Sequence, residues 1–190
     1  MGPMSDSSYI AVGTLVGCLS PSDQENGECW IRSGANTRSV PQVMIVAWNK
    51  LHHAPLQSRE DILSGGDNEA VLDALVDNGI VYELPSPDNL AAWPAVIRGL
   101  RAIPTSAMGL GVDEDGNWNV VLGGAPVQVS QLEYFLWAAC DGAKSLYDVL
   151  NGLVAKSKDP KQLAVAFPGA FLGLVSKGLV TLDLVSSEAD

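Results

Sequence analysis

The chain contains one sequence pattern twice, and this repetition constrains its fold more than any other feature. When the sequence is shifted by 89 positions without a gap, Asn26-Gly27 aligns with Asp115-Gly116. The same shift aligns Gly34 with Gly123, Val40 with Val129, Gln42 with Gln131 and Trp48 with Trp137. An internal repeat of this length indicates two copies of one structural unit. Residues that both copies share are expected to hold the scaffold, and residues found in one copy are candidates for function.

Later parts of the copies match with altered spacing, because 58–63 resembles 145–150 and 72–81 resembles 171–180. A chain of 190 residues, 47% of them apolar, can bury one large core or two smaller ones. The repeat favours two cores.

The positions of the two copies predict the domain organisation. We expect copy one over 8–85, a connecting segment over 86–103 and copy two over 104–186. The N-terminal residues 1–7 are predicted to be disordered, and Met1-Gly2-Pro3 is interpreted as a scar of expression.

Each copy shows the same order of secondary-structure signals. A hairpin comes first: residues 10–18 and 29–31 flank a turn-rich loop in copy one, and 108–112 and 118–122 flank a tight Asp-Gly turn in copy two. Three short helices and a final strand follow. This order predicts an α+β protein of tandem winged-helix-like units, each a small antiparallel sheet packed on three short helices.

The first helix of each copy has a recognisable start and an apolar stripe. Ser130 and Glu133 have the spacing of a capping box in copy two, and Pro41 lies in the corresponding first turn of copy one. Trp48 and Trp137 fall on the apolar stripes of these helices. We interpret both tryptophans as core anchors.

Capping residues and terminating glycines in the sequence predict where the remaining helices begin and end. Ser58 and Ser145 are predicted N-caps of the second helices. The third helices are expected over 67–78 and 162–177, each ended by a glycine. Phe167-Pro168 is expected to kink or split the last helix, because proline removes a hydrogen-bond donor.

The connecting segment is unusually apolar. A helix is expected over 90–101, interrupted at Pro94, and it contains Trp93, Ile97 and Leu100. These residues are too apolar for a free linker. We expect them to join the two copies into one rigid body.

Charge and hydropathy narrow the function classes. Twenty-two acidic and eleven basic residues give a net charge of −11, which repels nucleic acid and anionic membranes. The dense group Lys156, Lys158 and Lys161 is interpreted as a solvated loop. No apolar stretch reaches the roughly 20 residues needed to cross a bilayer, and no secretory signal is recognised. We expect a cytoplasmic protein without membrane contact.

Residue types that carry chemistry are few. Cys18, Cys29 and Cys140 have no zinc spacing and are expected to be free, buried thiols, although Cys18 and Cys29 could face each other across the hairpin. The adjacent pair His52-His53 is interpreted as surface or capping residues. The acidic loop 113–117 is interpreted as a hairpin turn and not a calcium site. We therefore expect no metal, no cofactor and no catalysis.

Copy two resembles the PqqD-type peptide-recognition domains, which are also called RiPP recognition elements. The resemblance rests on the hairpin before 122, the helix over 129–137 that ends at Asp141-Gly142, the Asp148-Val149-Leu150 segment and the final Lys177-Gly178-Leu179-Val180. Copy one matches more loosely, because residues 49–53 depart from the Asp-Gly step.

This resemblance implies a non-catalytic unit that captures a peptide as an added strand at a sheet edge. The implied edge residues are Val127, Gln128 and Val129, and the implied groove wall is Phe171, Leu174 and Val175. A purely structural role in the core is the alternative for the same residues. Which copy keeps a working groove is left open.

Three functions are compared. The first is an adaptor that binds a peptide or partner protein, such as a precursor peptide for a modifying enzyme in natural-product biosynthesis. The second is a winged-helix transcriptional regulator. The helix over 68–78 disfavours it because it carries acidic residues and no basic one, but the last helix of copy two, with Lys161, Gln162 and Lys177, leaves this alternative open. The third is a small enzyme that uses His52, His53 or a cysteine.

Overall fold

The computed structural model of the chain describes residues 7–19, 27–64, 66, 68–105 and 107–185. The predicted expression scar and nearly all of the segment predicted to be disordered lie outside these residues. The described chain divides into two compact units, with the boundary between Ser86 and Pro87. Helices and small antiparallel sheets are mixed in both, which confirms the α+β class. None of the described helices is long and apolar enough to cross a membrane.

The first unit contains five strands and three helices in its described part. They are β1 (Ser8–Ala11), β2 (Thr14–Leu19), β3 (Glu28–Ser33), β4 (Asn36–Pro41), α1 (Gln42–His53), α2 (Arg59–Ser64), α3 (Glu69–Asp77) and β5 (Val81–Leu84). An antiparallel sheet has the order β2-β3-β4, and β1 pairs with β5.

The second unit begins with an additional helix. Its elements are α4 (Trp93–Gly99), β6 (Leu100–Pro104), β7 (Ala107–Val112), β8 (Trp118–Leu122), β9 (Ala125–Val129), α5 (Gln131–Ala139), α6 (Leu146–Val154), α7 (Pro160–Ser176) and β10 (Val180–Leu184). Its sheet has the order β7-β8-β9, and β10 pairs with β6.

Connectivity and strand pairing are therefore the same in the two units once α4 is set aside. The first strand of each three-stranded sheet is also irregular at the same place, since the register shifts between Leu15 and Gly17 and between Gly109 and Gly111. A bulge adds one residue to a strand and bends it locally. The repeat detected in the sequence thus corresponds to a repeat in chain topology.

The strand predicted over 10–18 is two strands that belong to different sheets. Gly13 lies between β1 and β2 with φ +94, a conformation that favours glycine. A Cβ atom there would also lie 2.5 Å from the carbonyl oxygen of Arg32. The prediction failed because apolar residues continue on both sides of this corner and give no sign of it in the sequence.

The segment predicted to connect the copies is, from Pro87 onwards, part of the second unit, which corrects the prediction of a separate connection. Pro94 begins α4 instead of interrupting a helix, because proline at a first turn loses no hydrogen bond. The ring of Trp93 packs edge-on against Phe167 and Phe171 at 6.4 and 5.9 Å. Ile97 is fully buried within α4, and Leu100 is fully buried in β6, which pairs with β10.

Most helix ends agree with the prediction. The capping box of Ser130 and Glu133 is present, and Ser145 caps α6. Gly79 and Gly178 follow α3 and α7 with φ of +62 and +67. The helix α7 continues through Pro168, which is buried together with Phe167, so the predicted split is wrong.

The two tryptophans differ in burial. Trp48 is 2% exposed, and its indole nitrogen donates to the carbonyl of Val12 at 3.3 Å. This confirms its core role. Trp137 is only partly buried and lies against Tyr134 with ring centroids 5.9 Å apart.

Cys18 and Cys29 form a disulfide, which corrects the prediction of free thiols. The register of β2 and β3 places the two residues directly opposite each other, with Cα atoms 4.0 Å apart. Cys140 is free and buried, as predicted.

Candidate functional site

The strand β9 forms an open edge of the sheet in the second unit. In the described part of the chain it pairs only with β8. Pro126 lies within it, and proline is tolerated in a strand where its nitrogen faces away from the neighbouring strand. Residues two apart in a strand direct their backbone N–H and C=O groups to the same side. The backbone of Gln128 therefore faces the open edge, as that of Pro126 does.

The predicted edge residues all lie on β9, but with different exposure. Gln128 is exposed, Val127 is partly buried and Val129 is 5% exposed. Val127 pairs with the fully buried Val120, so the side chains of Val127 and Val129 lie on the face of the sheet that packs on helices. An added strand would meet the backbone and the side chain of Gln128.

The predicted groove wall is core. Phe171 and Leu174 are fully buried and Val175 is 2% exposed. Phe171 stacks on Phe167 with centroids 6.1 Å apart. The structure therefore does not bring these three residues to a surface beside β9, because α7 turns this stripe towards the interior of its unit.

A groove begins where β9 ends. Its volume is about 910 Å³, and Ser130, the residue after β9, lines it. The apolar lining comes from the start of α5, the end of α6 and the first turns of α7. These side chains are Leu132, Phe135, Leu153, Leu163 and Ala166. Pockets for small molecules and peptide side chains are mostly apolar and concave in this way.

Phe135 connects the groove to an aromatic cluster on the sheet. It is 44% exposed, and its ring lies 5.1 Å from Trp118 and 6.2 Å from Tyr134. Trp118 in turn pairs across the ladder with Val129, at the end of β9. Exposed aromatic rings beside an open strand are typical anchors for a bound polypeptide.

The rim of the groove is basic. Lys156 and Lys158 line it between α6 and α7, where the sequence predicted only a solvated loop. Asp159 also lines the groove, but its carboxylate accepts the backbone N–H of Gln162 and caps α7.

The first unit differs at the matching place. Arg38 on β4 lies opposite Ile31, as Val127 lies opposite Val120 in the second unit. The guanidinium of Arg38 donates to the carbonyl of Asn78, the C-cap of α3. One side chain thus bridges the edge strand and the last helix.

Among the described residues of the second unit, no side chain of β9 makes a corresponding hydrogen bond to the end of α7. Val127 is too short to make one. Lys177, the C-cap of α7, lies 2.6 Å from Glu133 on α5 instead.

Two of the residues considered for catalysis, Cys140 and His52, have shifted pKa values. Burial, with a smaller contribution from Asp141, raises the pKa of Cys140 to about 12. The ring of His52 lies 5.0 Å from Trp48, and burial followed by the charge of His53 lowers its pKa. These two groups are therefore a neutral thiol and a neutral imidazole near pH 7.

The acidic loop has a structural role. The carboxylate of Asp113 accepts the backbone N–H groups of Asp115 and Asn117 and the side chain of Asn119, and its pKa is lowered mainly by Asn117. This closes the β7–β8 hairpin. In the part of the chain that the structure describes, no cluster of His, Cys, Asp or Glu could hold a metal ion.

Sequence reasoning missed the groove, although a signal was present. Leu132 and Phe135 belong to the same apolar stripe of α5 as Leu136, but only Leu136 is fully buried. The stripe is wider than one buried face requires. This excess of apolar residues is the signal from which an exposed groove could have been predicted.

Comparison of the chain with models of protein families, with curated proteins and with solved structures gave no match.

Proposed function

We propose that the protein is a non-catalytic adaptor that captures an extended peptide at β9 and in the groove beside it. In this proposal the chain consists of tandem winged-helix-like units of the PqqD type. The captured segment is a peptide or a flexible part of a partner protein, such as a precursor peptide that a modifying enzyme acts on.

The open edge of β9 is the observation that carries the proposal. Unpaired backbone groups of an edge strand attract another strand, and this addition is a general mode of peptide recognition. The edge is short and its outward backbone positions are few, so it supplies limited affinity alone. The apolar groove at its end supplies the side-chain contacts that make binding selective.

The second unit is proposed as the binding copy. In the first unit, Arg38 bridges the edge strand and the last helix, whereas Val127 leaves this place open in the second. The protonated, buried thiol of Cys140 does not favour a nucleophilic role, and the acidic residues of α3 do not favour DNA binding by that helix.

The test begins with selection of binders from a displayed library of random peptides of about 12 residues, long enough at roughly 3.3 Å per residue to cover strand and groove. A selected peptide is labelled with fluorescein, and its affinity is measured by anisotropy. Replacing Gln128 by proline removes one outward N–H and is expected to weaken binding about tenfold. Gln128→Ala keeps that N–H and is the matched control.

A second variant tests the choice of unit. Val127→Arg copies the residue of the first unit and is expected to reduce binding by a similar factor, while Arg38→Val should leave the affinity unchanged. Circular dichroism checks that each variant is folded. Failure to select any peptide, or equal affinity of the proline and alanine variants, would contradict the proposal.

The cytoplasmic location remains part of the proposal. Disulfides seldom persist in reducing compartments, so the Cys18–Cys29 bond makes this part testable. Alkylation of free thiols in intact cells, followed by mass analysis, should find both cysteines reduced if the protein functions there.

A further inference from the structure

We infer that the groove of the second unit selects acidic peptides, in which carboxylates flank an apolar anchor residue. This inference rests on the proposed function and names the class of peptide. The chain as a whole carries a net charge of −11. The rim of this groove has the opposite sign.

The positive charge of the rim is not neutralised by the protein itself. Lys144 and Lys177 are paired with Asp141 and Glu133 at 3.0 and 2.6 Å. Within the described part of the chain, no carboxylate lies within 4.0 Å of the ammonium groups of Lys156 or Lys158. The two lysines are exposed and extend from the turn between α6 and α7.

The lining contains two lysines and a single acidic residue, so it keeps a net positive charge. The carboxylate of Asp159 is engaged by the backbone N–H of Gln162 at 3.0 Å, as the N-cap of α7. The other polar lining residues are neutral: Ser130, Gln131, Ser157 and Gln162. An entering carboxylate therefore meets two unpaired ammonium groups, neutral hydrogen-bonding partners and one carboxylate that already caps α7.

The apolar side chains that line the groove require an apolar residue in the bound peptide. Leu132, Phe135 and Leu163 offer a surface for one large apolar side chain, and the lysines lie at its border. A basic peptide would bring like charges together at this border, which is unfavourable. A peptide that alternates apolar and acidic residues satisfies both parts of the groove.

Selected peptides provide the test. We expect the peptides recovered from the random library to be enriched in Asp and Glu next to Leu, Ile, Phe or Trp. Replacing the acidic residues of one such peptide by Asn and Gln should weaken binding about three- to tenfold at low salt. This loss should shrink as salt screens the charges.

Variants of the protein separate the local site from the total charge. Lys156→Glu and Lys158→Glu should each reduce affinity for the acidic peptide and leave affinity for its Asn/Gln version nearly unchanged. Lys161→Glu changes the net charge equally but lies outside the lining, so it should have a smaller effect. All three positions are exposed, and folding is verified by thermal unfolding.

The outcomes distinguish the two proposals. Peptides that depend on Gln128 but show no acidic enrichment and no response to Lys156→Glu would overturn the inference and leave the proposed function standing. Equal effects of Lys156→Glu and Lys161→Glu would also overturn it, since only total charge would then matter. If no peptide binds, both proposals are overturned.

Discussion

At the scale of single residues, Glu133 carries a charge in a nearly buried position. Its side chain is 8% exposed, and its carboxylate lies 2.6 Å from the Lys177 ammonium and 2.5 Å from the backbone nitrogen of Ser130. Burial alone would raise the pKa of Glu133, but these hydrogen bonds outweigh it and hold the pKa below its ordinary value. The second unit therefore depends on an ionised carboxylate at a place where the first unit has Met44.

Acid should weaken the second unit through this residue. Because the pKa of Glu133 is lower in the folded protein, its contribution is present above the unfolded pKa of about 4.5 and is lost as pH falls through the folded value. Glu133→Gln should lower stability near pH 7 by about 1 to 3 kcal/mol. Urea unfolding at neutral and acidic pH measures this, and a variant with the same acid sensitivity as the wild type would contradict it.

The disulfide gives a prediction for the first unit. Its two cysteines are 11 residues apart, and closing a loop of about this length in the unfolded chain stabilises a protein by roughly 2 to 3 kcal/mol. Reductant should therefore destabilise the first unit, as followed by hydrogen exchange. Cys18→Ala should be equally destabilised and indifferent to reductant, which makes it the control.

At the scale of elements, the packing of α7 against α5 depends on a position without a side chain. A Cβ atom at Gly173 would collide with the carboxylate oxygen of Glu133 that pairs with Lys177. Gly169 lies one turn earlier in the same helix, and a Cβ atom there would meet nothing within 4 Å. The two glycines are chemically identical, but only one of them is required by packing.

This contrast predicts opposite effects of the same substitution. Gly173→Ala should displace Glu133 and destabilise the second unit by about 1 to 3 kcal/mol. Gly169→Ala should stabilise it by roughly 0.5 to 1 kcal/mol, because alanine loses less backbone entropy in a helix. Thermal unfolding of both variants is the measurement, and a stabilised Gly173→Ala protein would show that this contact is not needed.

At the scale of the whole molecule, two units with the same connectivity have diverged in their surfaces. Each has its own core, with Trp48 and Leu75 in the first and Phe167 and Phe171 in the second. In the first unit a bridge from Arg38 ties the edge strand to the last helix, and in the second the corresponding edge is open.

The boundary of the second unit can be tested with fragments. Residues 87–185 should fold alone and bind the selected peptide, because α4 and β6 are included. A fragment that begins at Pro104 lacks Trp93 and the partner strand of β10, so it should remain largely unfolded. Circular dichroism and heteronuclear NMR compare the two, and a folded shorter fragment would contradict this boundary.

The sequence alone determined the features that depend on near neighbours. The capping box of Ser130, the caps at Ser58 and Ser145 and the left-handed glycines after α3 and α7 were predicted because each interaction spans only a few residues. The repeat determined that the order of elements occurs twice.

Only the tertiary structure decided which distant segments meet. The pairing of β6 with β10, the register that joins Cys18 to Cys29 and the burial of Phe171, Leu174 and Val175 all depend on contacts between distant residues. An apolar stripe predicts that a helix face is covered, but not by what or how completely. For this reason the sequence placed the edge strand correctly, while the groove at its end became visible only when α5, α6 and α7 were assembled.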